Sequence, residues 1–309
     1  MRSRKNAEKI GEDTLPEPIF TLLRRTYAFK KTTDCDIHLD VYSSEAMAEI
    51  SPTVVWIHGG ALIMGSRENG QGHAARYVDA GYKVISIDYR LAPETKLPEI
   101  IADVRDAFGW IRLNADELGV DPARIGAVGH SAGGYLTLMS GTFDSKPKAL
   151  VSFYGYGDLI GSWYSKPSPF YLKQRHIGRE EAMEQIEPRA ISEGRRPGTF
   201  YLYTRQQGIW PIEVSGVDPA KDPAFFTPYC PDQNIDANYP PTLLLHGTDD
   251  TDVPYELSVR MQNRLKEAGV DHEMVTIESG GHGFDGRWWD PQVKAAFARV
   301  LEFLDNHLN

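Results

Sequence analysis

Gly129-His130-Ser131-Ala132-Gly133 follows the apolar run Arg124 to Val128 and leads into the helix-forming stretch Tyr135 to Met139. The order predicts a strand, a sharp turn and a helix, with Ser131 at the turn. Such a turn needs a small residue two positions before and two after the serine, because its backbone is strained and neighbouring Cβ atoms would collide. The serine Oγ is then left exposed at the strand end. Taken alone, G-x-S-x-G is common, and a glycine-containing turn whose serine caps a helix satisfies it equally well.

Three further stretches supply context. Thr53-Val54-Val55-Trp56-Ile57-His58-Gly59-Gly60-Ala61 is a β-branched, apolar run ending in a glycine pair. Beyond the serine, Leu243-Leu244-Leu245-His246-Gly247-Thr248-Asp249-Asp250 ends in acidic residues, and Gly280-Gly281-His282-Gly283-Phe284 sets a histidine in a glycine-rich loop after the strand-like His272 to Ile277. Glycine pair, serine, acid and histidine is the order expected when a nucleophile elbow works with an acid and a base on later strands of one sheet.

With these four motifs in order, the chain resembles the α/β-hydrolase fold and, within it, the hormone-sensitive-lipase-like and acetyl-esterase group of serine carboxylesterases. The resemblance runs from residue 27 to the C-terminus apart from one long insertion, and includes Asp88-Tyr89-Arg90-Leu91-Ala92-Pro93-Glu94, similar to the family's segment after its fourth strand. The chain departs from the family's commonest glycine motif at one position. Ala61 stands where a third glycine is usual, and alanine still carries an N–H.

The chemistry assigns a role to each residue type. A serine hydroxyl is a poor nucleophile near neutrality, so Ser131 needs a base to take its proton. Imidazole titrates in that range, and His282 is the candidate. His58 and His130 sit inside the glycine motifs, His246 precedes the acid loop, and His38, His73, His176, His272 and His307 fall in helix-like or strand-like contexts, so a structural or surface role is expected for those eight. A carboxylate must hold the imidazole tautomer. Asp250 is the fourth residue after His246, as in the family pattern, while Asp249 and Asp252 are neighbours for which turn or helix-terminal chemistry is the plain reading. The elbow makes Ala132 N–H one oxyanion donor, and Gly60 with Gly59 and Ala61 is expected to supply the rest.

The chain has 309 residues and a net charge of −10, enough for one large α/β domain plus an insertion. Nucleic acid and anionic membrane surfaces are not expected as partners, because the basic residues form only short groupings such as Arg2-Ser3-Arg4-Lys5 and Arg195-Arg196. The N-terminal residues contain no apolar core of a signal peptide, and no stretch reaches the eighteen or so apolar residues of a membrane span. Two cysteines far apart, Cys35 and Cys230, argue against a disulfide framework and for a cytoplasmic address. Without H-E-x-x-H, C-x-x-C or a P-loop, no metal or organic cofactor is expected for the reaction. Oligomeric state is not readable.

Alternating strand and helix signals predict a mostly parallel sheet with helices on both faces. Tyr27 to Lys31 and Asp36 to Tyr42 read as an initial antiparallel pair, Lys83 to Asp88 and Ala149 to Tyr154 as strands. Ile100, Ile101, Val104, Phe108 and Ile111 recur at helical spacing, as do Val293, Phe297, Val300, Leu301, Leu304 and Leu308. Residues 1–154 and 239–309 are the expected core. Residues 155–238, entered through a hinge at Gly155-Tyr156-Gly157 whose glycine spacing to Gly161 is one residue too long for a dinucleotide fingerprint, are the expected cap. Trp163, Tyr164, Phe170, Tyr171, Phe200, Tyr201, Tyr203, Trp210, Phe225, Phe226 and Tyr229 fall inside it, most of them to seal it onto the core and some to line a pocket. The expected activity is hydrolysis of small to medium esters. An amidase or peptidase with the same three residues is the alternative, and a non-catalytic receptor on this fold is the third reading.

Overall fold

The computed structural model describes residues 21–194 and 196–309; the basic residues Arg2, Arg4, Lys5 and Arg195 lie outside them. Among the described residues eight strands form one sheet: β1 (Leu23–Lys31), β2 (Asp36–Ser43), β3 (Ser51–Ile57), β4 (Lys83–Ile87), β5 (Val120–His130), β6 (Ala149–Phe153), β7 (Thr242–Gly247) and β8 (His272–Ile277). Their order is β1-β2-β4-β3-β5-β6-β7-β8. The β1/β2 and β2/β4 pairs are antiparallel, and every pair from β4 to β8 is parallel. Both faces of the parallel part are covered, which is why these strands read as nearly continuous apolar runs.

Alternation along each strand sends side chains to two cores. On β3, Val55 and Ile57 join one cluster while Val54 and Trp56 join the other; on β7 Leu244 parts in the same way from Leu243 and Leu245. The first core is closed by helices α2 (Leu97–Leu113), α4 (Ala132–Ser140) and α9 (Glu256–Glu267), with the short α3 (Ala115–Leu118) at its edge, and the second by α1 (Gln71–Asp79) and α10 (Pro291–Leu308). The helical periodicity is realised: Ile100, Ile101, Val104, Phe108 and Ile111 are all buried, as are Val293, Val300, Leu304 and Leu308. Each such side chain contributes about 1.5–3 kcal/mol. β5 begins earlier than the apolar run from Arg124, because Val120 pairs with Ser51 before the register shifts ahead of Ile125. Pro122 lies in that irregularity, where it has no N–H to give the ladder.

Among the described residues between β6 and β7 there is no strand of the sheet. The chain there carries α5 (Ser162–Ser165), α6 (Arg179–Met183), α7 (Thr199–Gln207) and α8 (Trp210–Ser215), with short 3-10 turns between them. This segment shares a core with the sheet: Tyr156, Tyr164, Phe200, Trp210 and Phe226 are buried in the first cluster. Phe170 is exposed, while Trp163, Tyr171, Tyr201, Tyr203, Phe225 and Tyr229 are half-buried. An isolated antiparallel bridge, Gly65 to Gly194, ties the segment to the loop after β3. Among the described residues no helix is long and apolar enough to cross a membrane, and Cys35 and Cys230 are free thiols.

Candidate active site

Ser131 links the end of β5 to the start of α4 with φ 56° and ψ −119°, a left-handed conformation that ordinary residues avoid. The turn is as tight as the small flanking residues implied. A Cβ on Gly129 would collide with the Gly133 carbonyl, and one on Gly133 with the Ile57 carbonyl of β3. Ser131 N–H donates to Phe153 O at 2.9 Å, fixing the elbow to the neighbouring strand. Strain of this kind costs about 1–3 kcal/mol and persists only where surrounding packing imposes it.

The loops after β7 and β8 bring the other two residues to the serine. His282 Nε2 lies 3.0 Å from Ser131 Oγ, and His282 Nδ1 lies 2.7 Å from Asp250 Oδ2. The second oxygen of Asp250 accepts the N–H groups of Asp252 at 2.8 Å and Val253 at 2.9 Å. Its side chain is 0% exposed. Burial alone would raise this carboxyl, but the hydrogen bonds from His246 and His282, the charge of His282 and the Val253 N–H together hold it well below the usual carboxylate range. On His282 burial acts downward and is outweighed by the Asp250 hydrogen bond and the charges of Asp252, Asp250 and Asp285, so the imidazole is raised above its ordinary value. Asp249 N–H donates to Gly280 O and its exposed side chain meets Thr248, a turn role.

The glycine loop after β3 completes the arrangement. Ala61 and Leu62 adopt φ 55° and 61°, both left-handed without being glycine. Among the described residues no acceptor pairs with the Gly60 or Ala61 N–H, while Ala132, first residue of α4, lies outside the helix's own ladder of acceptors. His58 beneath this loop is fully buried, stacks on Tyr89 at 4.1 Å and has its Nδ1 2.7 Å from Gly59 O; burial pushes its pKa down to about 4.

Several neighbouring side chains support these residues. His246 has Nε2 3.2 Å from Asp250 Oδ2 and 3.0 Å from Val253 O, with Nδ1 2.6 Å from Ser258 Oγ. An Nε2-protonated tautomer donates towards both oxygens and accepts from Ser258, which fixes the acid from below. Asp252 Oδ2 lies 3.7 Å from His282 Nε2. It is held by two side chains of α7: Tyr201 OH donates to Oδ1 at 2.6 Å, and Arg205 donates to Oδ1 at 2.5 Å and to the backbone oxygen at 3.1 Å. From α8, Trp210 Nε1 donates to Ala61 O at 3.0 Å. Only the proximity of His246 and Asp252 to Asp250 in the chain hinted at these; Tyr201, Arg205 and Trp210 approach from far away in sequence.

The chain is similar to several known proteins. The BD-FAE family matches residues 39–265. Esterase LipC of Mycobacterium tuberculosis is 28% identical, with 80% of this chain and 57% of that protein covered. Non-reducing polyketide synthase Preu3 of Preussia isomera is 26% identical over 90% of this chain, which spans only 13% of that protein's length. A crystal structure of a protein of unknown function from Staphylococcus aureus superposes with a TM-score of 0.76 at 22% identity, covering 93% of this chain and 100% of that one.

Proposed function

We propose that this chain, which belongs to the BD-FAE family and is an esterase-like α/β-hydrolase, hydrolyses small to medium carboxylic esters through an acyl-enzyme formed on Ser131. The observation that carries the reading is the unbroken relay from Ser131 Oγ through both nitrogens of His282 to a buried Asp250. The strained backbone at Ser131 supports it, since such strain concentrates where an exposed nucleophile is required.

In this cycle Ser131 Oγ attacks the ester carbonyl while its proton passes to His282 Nε2. Asp250 keeps Nδ1 protonated and stabilises the imidazolium. The tetrahedral oxyanion faces the N–H groups of Ala132, Gly60 and Ala61, with Gly59 setting the loop's path; one such donor is typically worth about 3 kcal/mol. Collapse breaks the bond to the alkoxide, which leaves as alcohol with the proton from His282. Water, deprotonated by His282, then attacks the acyl carbonyl, and the acid departs as Ser131 regains its proton. Side chains and backbone N–H groups carry every step. The segment over residues 155–238 acts as the cap, with Tyr201 and Arg205 of α7 and Trp210 of α8 meeting the site.

The test is hydrolysis of nitrophenyl esters from acetate to laurate beside the matching anilide, with Ser131→Ala as control. Turnover of short esters that vanishes in Ser131→Ala is the expected result. Faster cleavage of the anilide would make the protein an amidase, and no turnover of either would make it a binding protein on this fold.

A further inference from the structure

Directly behind the elbow, three side chains from distant parts of the chain converge: His73 of α1, His130 at the end of β5, and Asp285 in the turn Phe284–Gly286 that follows His282. Asp285 Oδ2 lies 3.8 Å from His130 Nδ1 and 4.0 Å from His73 Nε2, and one donor atom from each residue lies within 4.8 Å of the others. These separations are too long for direct hydrogen bonds. Among the described residues neither imidazole makes a hydrogen bond, although His130 is buried and His73 is three-quarters buried. All three border a cavity of about 10 Å³, room for one water-sized occupant, walled by Phe153, Phe284 and Trp288.

The surroundings of the cluster are those of a built site. Tyr154 OH donates a short hydrogen bond to Asp285 Oδ1, fixing the carboxylate so that Oδ2 is left for another partner. Trp56 stacks on His73 at 5.3 Å and Phe153 meets the edge of His130 at 4.5 Å, which sets both rings. Arg76 carries a charge that opposes a cation here, and its guanidinium is held over the Trp288 ring at 3.1 Å.

Two imidazole nitrogens and one carboxylate oxygen are the donor set of a zinc-class ion with an open fourth position. We propose that His73 Nε2, His130 Nδ1 and Asp285 Oδ2 bind one divalent transition-metal ion, with water as fourth ligand, clasping the residue before Ser131 to the loop that carries His282. Tetrahedral bonds of about 2.0–2.1 Å set ligand atoms roughly 3.4 Å apart, so binding draws the three donors together by about half an ångström or more. The role is a structural clasp, and the hydrolytic cycle does not pass through the ion.

The experiment uses the full, untagged chain, stripped with chelator, dialysed and titrated with Zn²⁺. Calorimetry and elemental analysis are expected to give one Zn²⁺ per chain, with the unfolding temperature rising as free Zn²⁺ increases. Co²⁺ should bring the visible absorption of a four-coordinate nitrogen and oxygen site. His73→Gln, which leaves Ser131, His282 and Asp250 untouched, should weaken Zn²⁺ binding by about 100-fold or more. If that variant fails to fold, stoichiometry and Co²⁺ spectrum of the wild-type chain decide. No retained Zn²⁺ and no thermal shift would overturn the proposal and make the cluster a water-filled hydrogen-bond node. Equal binding by wild type and His73→Gln would overturn it too, by placing the ion elsewhere.

Discussion

Ser131, Asp250 and His282 stand at the carboxyl ends of β5, β7 and β8, with Ser131 N–H bonded to Phe153 O of β6 and the loop of Asp250 tied to the loop of His282 by the bond from Asp249 N–H to Gly280 O. Tyr201, Arg205 and Trp210 reach the same site from the segment between β6 and β7, each through one or two side-chain contacts. In the first region the atoms proposed to react take their position from the sheet. In the second, single polar side chains adjust what the sheet has placed: Trp210 steadies the carbonyl of Ala61, and Arg205 with Tyr201 holds Asp252 beside His282 Nε2. Sheet-borne changes should therefore abolish turnover, and changes in the segment should tune it.

The sharpest way to break that contrast is Ser131→Ala, expected to lower kcat on a short nitrophenyl ester by about 10⁶-fold; a fully active variant would sink the mechanism. Asp250→Asn should cost about 10⁴-fold by favouring the wrong imidazole tautomer. Asp249→Asn, on an exposed turn, should cost almost nothing, and the reverse ranking in steady-state kinetics would move the acid to the other carboxylate.

Asp252 tests how far the second region reaches into the first. With His282 raised above the ordinary imidazole value of 6.5, kcat/KM of the wild type should rise with pH through a midpoint above that value, because the base works only when deprotonated. Asp252→Asn removes one of the charges that hold the imidazolium and should move the midpoint to lower pH. It also strands the buried Arg205, at a cost of about 3–5 kcal/mol of stability measurable by urea unfolding. An unmoved pH profile would show that Asp252 serves only to anchor α7. Trp210→Phe deletes one hydrogen bond to the Ala61 carbonyl and should lower kcat by roughly 5-fold, or about 1 kcal/mol; a loss of 10³-fold would place the segment on a par with the sheet.

Ala61→Gly should have only a small effect on stability. Relief of the left-handed backbone, worth about 1–2 kcal/mol, is offset by about 0.4–1 kcal/mol of added unfolded-state entropy. Stability should change by no more than about 1 kcal/mol in thermal unfolding, with the acyl-chain profile as the more informative readout. A larger destabilisation would mean that the Ala61 Cβ packs as part of the loop.

The four motifs could be read without coordinates because each is local. A tight turn forces small residues into fixed spacings around Ser131, and parallel strands buried on both faces force apolar runs that end where loops begin. The amphipathic helices over residues 97–113 and 291–308 were legible for the same reason, since burial of one face imposes its period on the sequence. The chain alone thus pointed to the α/β fold, the order of strand-end loops and the residues those loops present.

Tertiary structure decided everything that depends on residues meeting from far apart. Which face of the sheet takes Trp210, that Arg205 pairs with Asp252, that His246 supports Asp250, and that His73, His130 and Asp285 surround one small cavity are outcomes of packing. Side-chain contacts between distant segments leave no period and no spacing in the sequence, because what selects them is the three-dimensional fit of already formed elements.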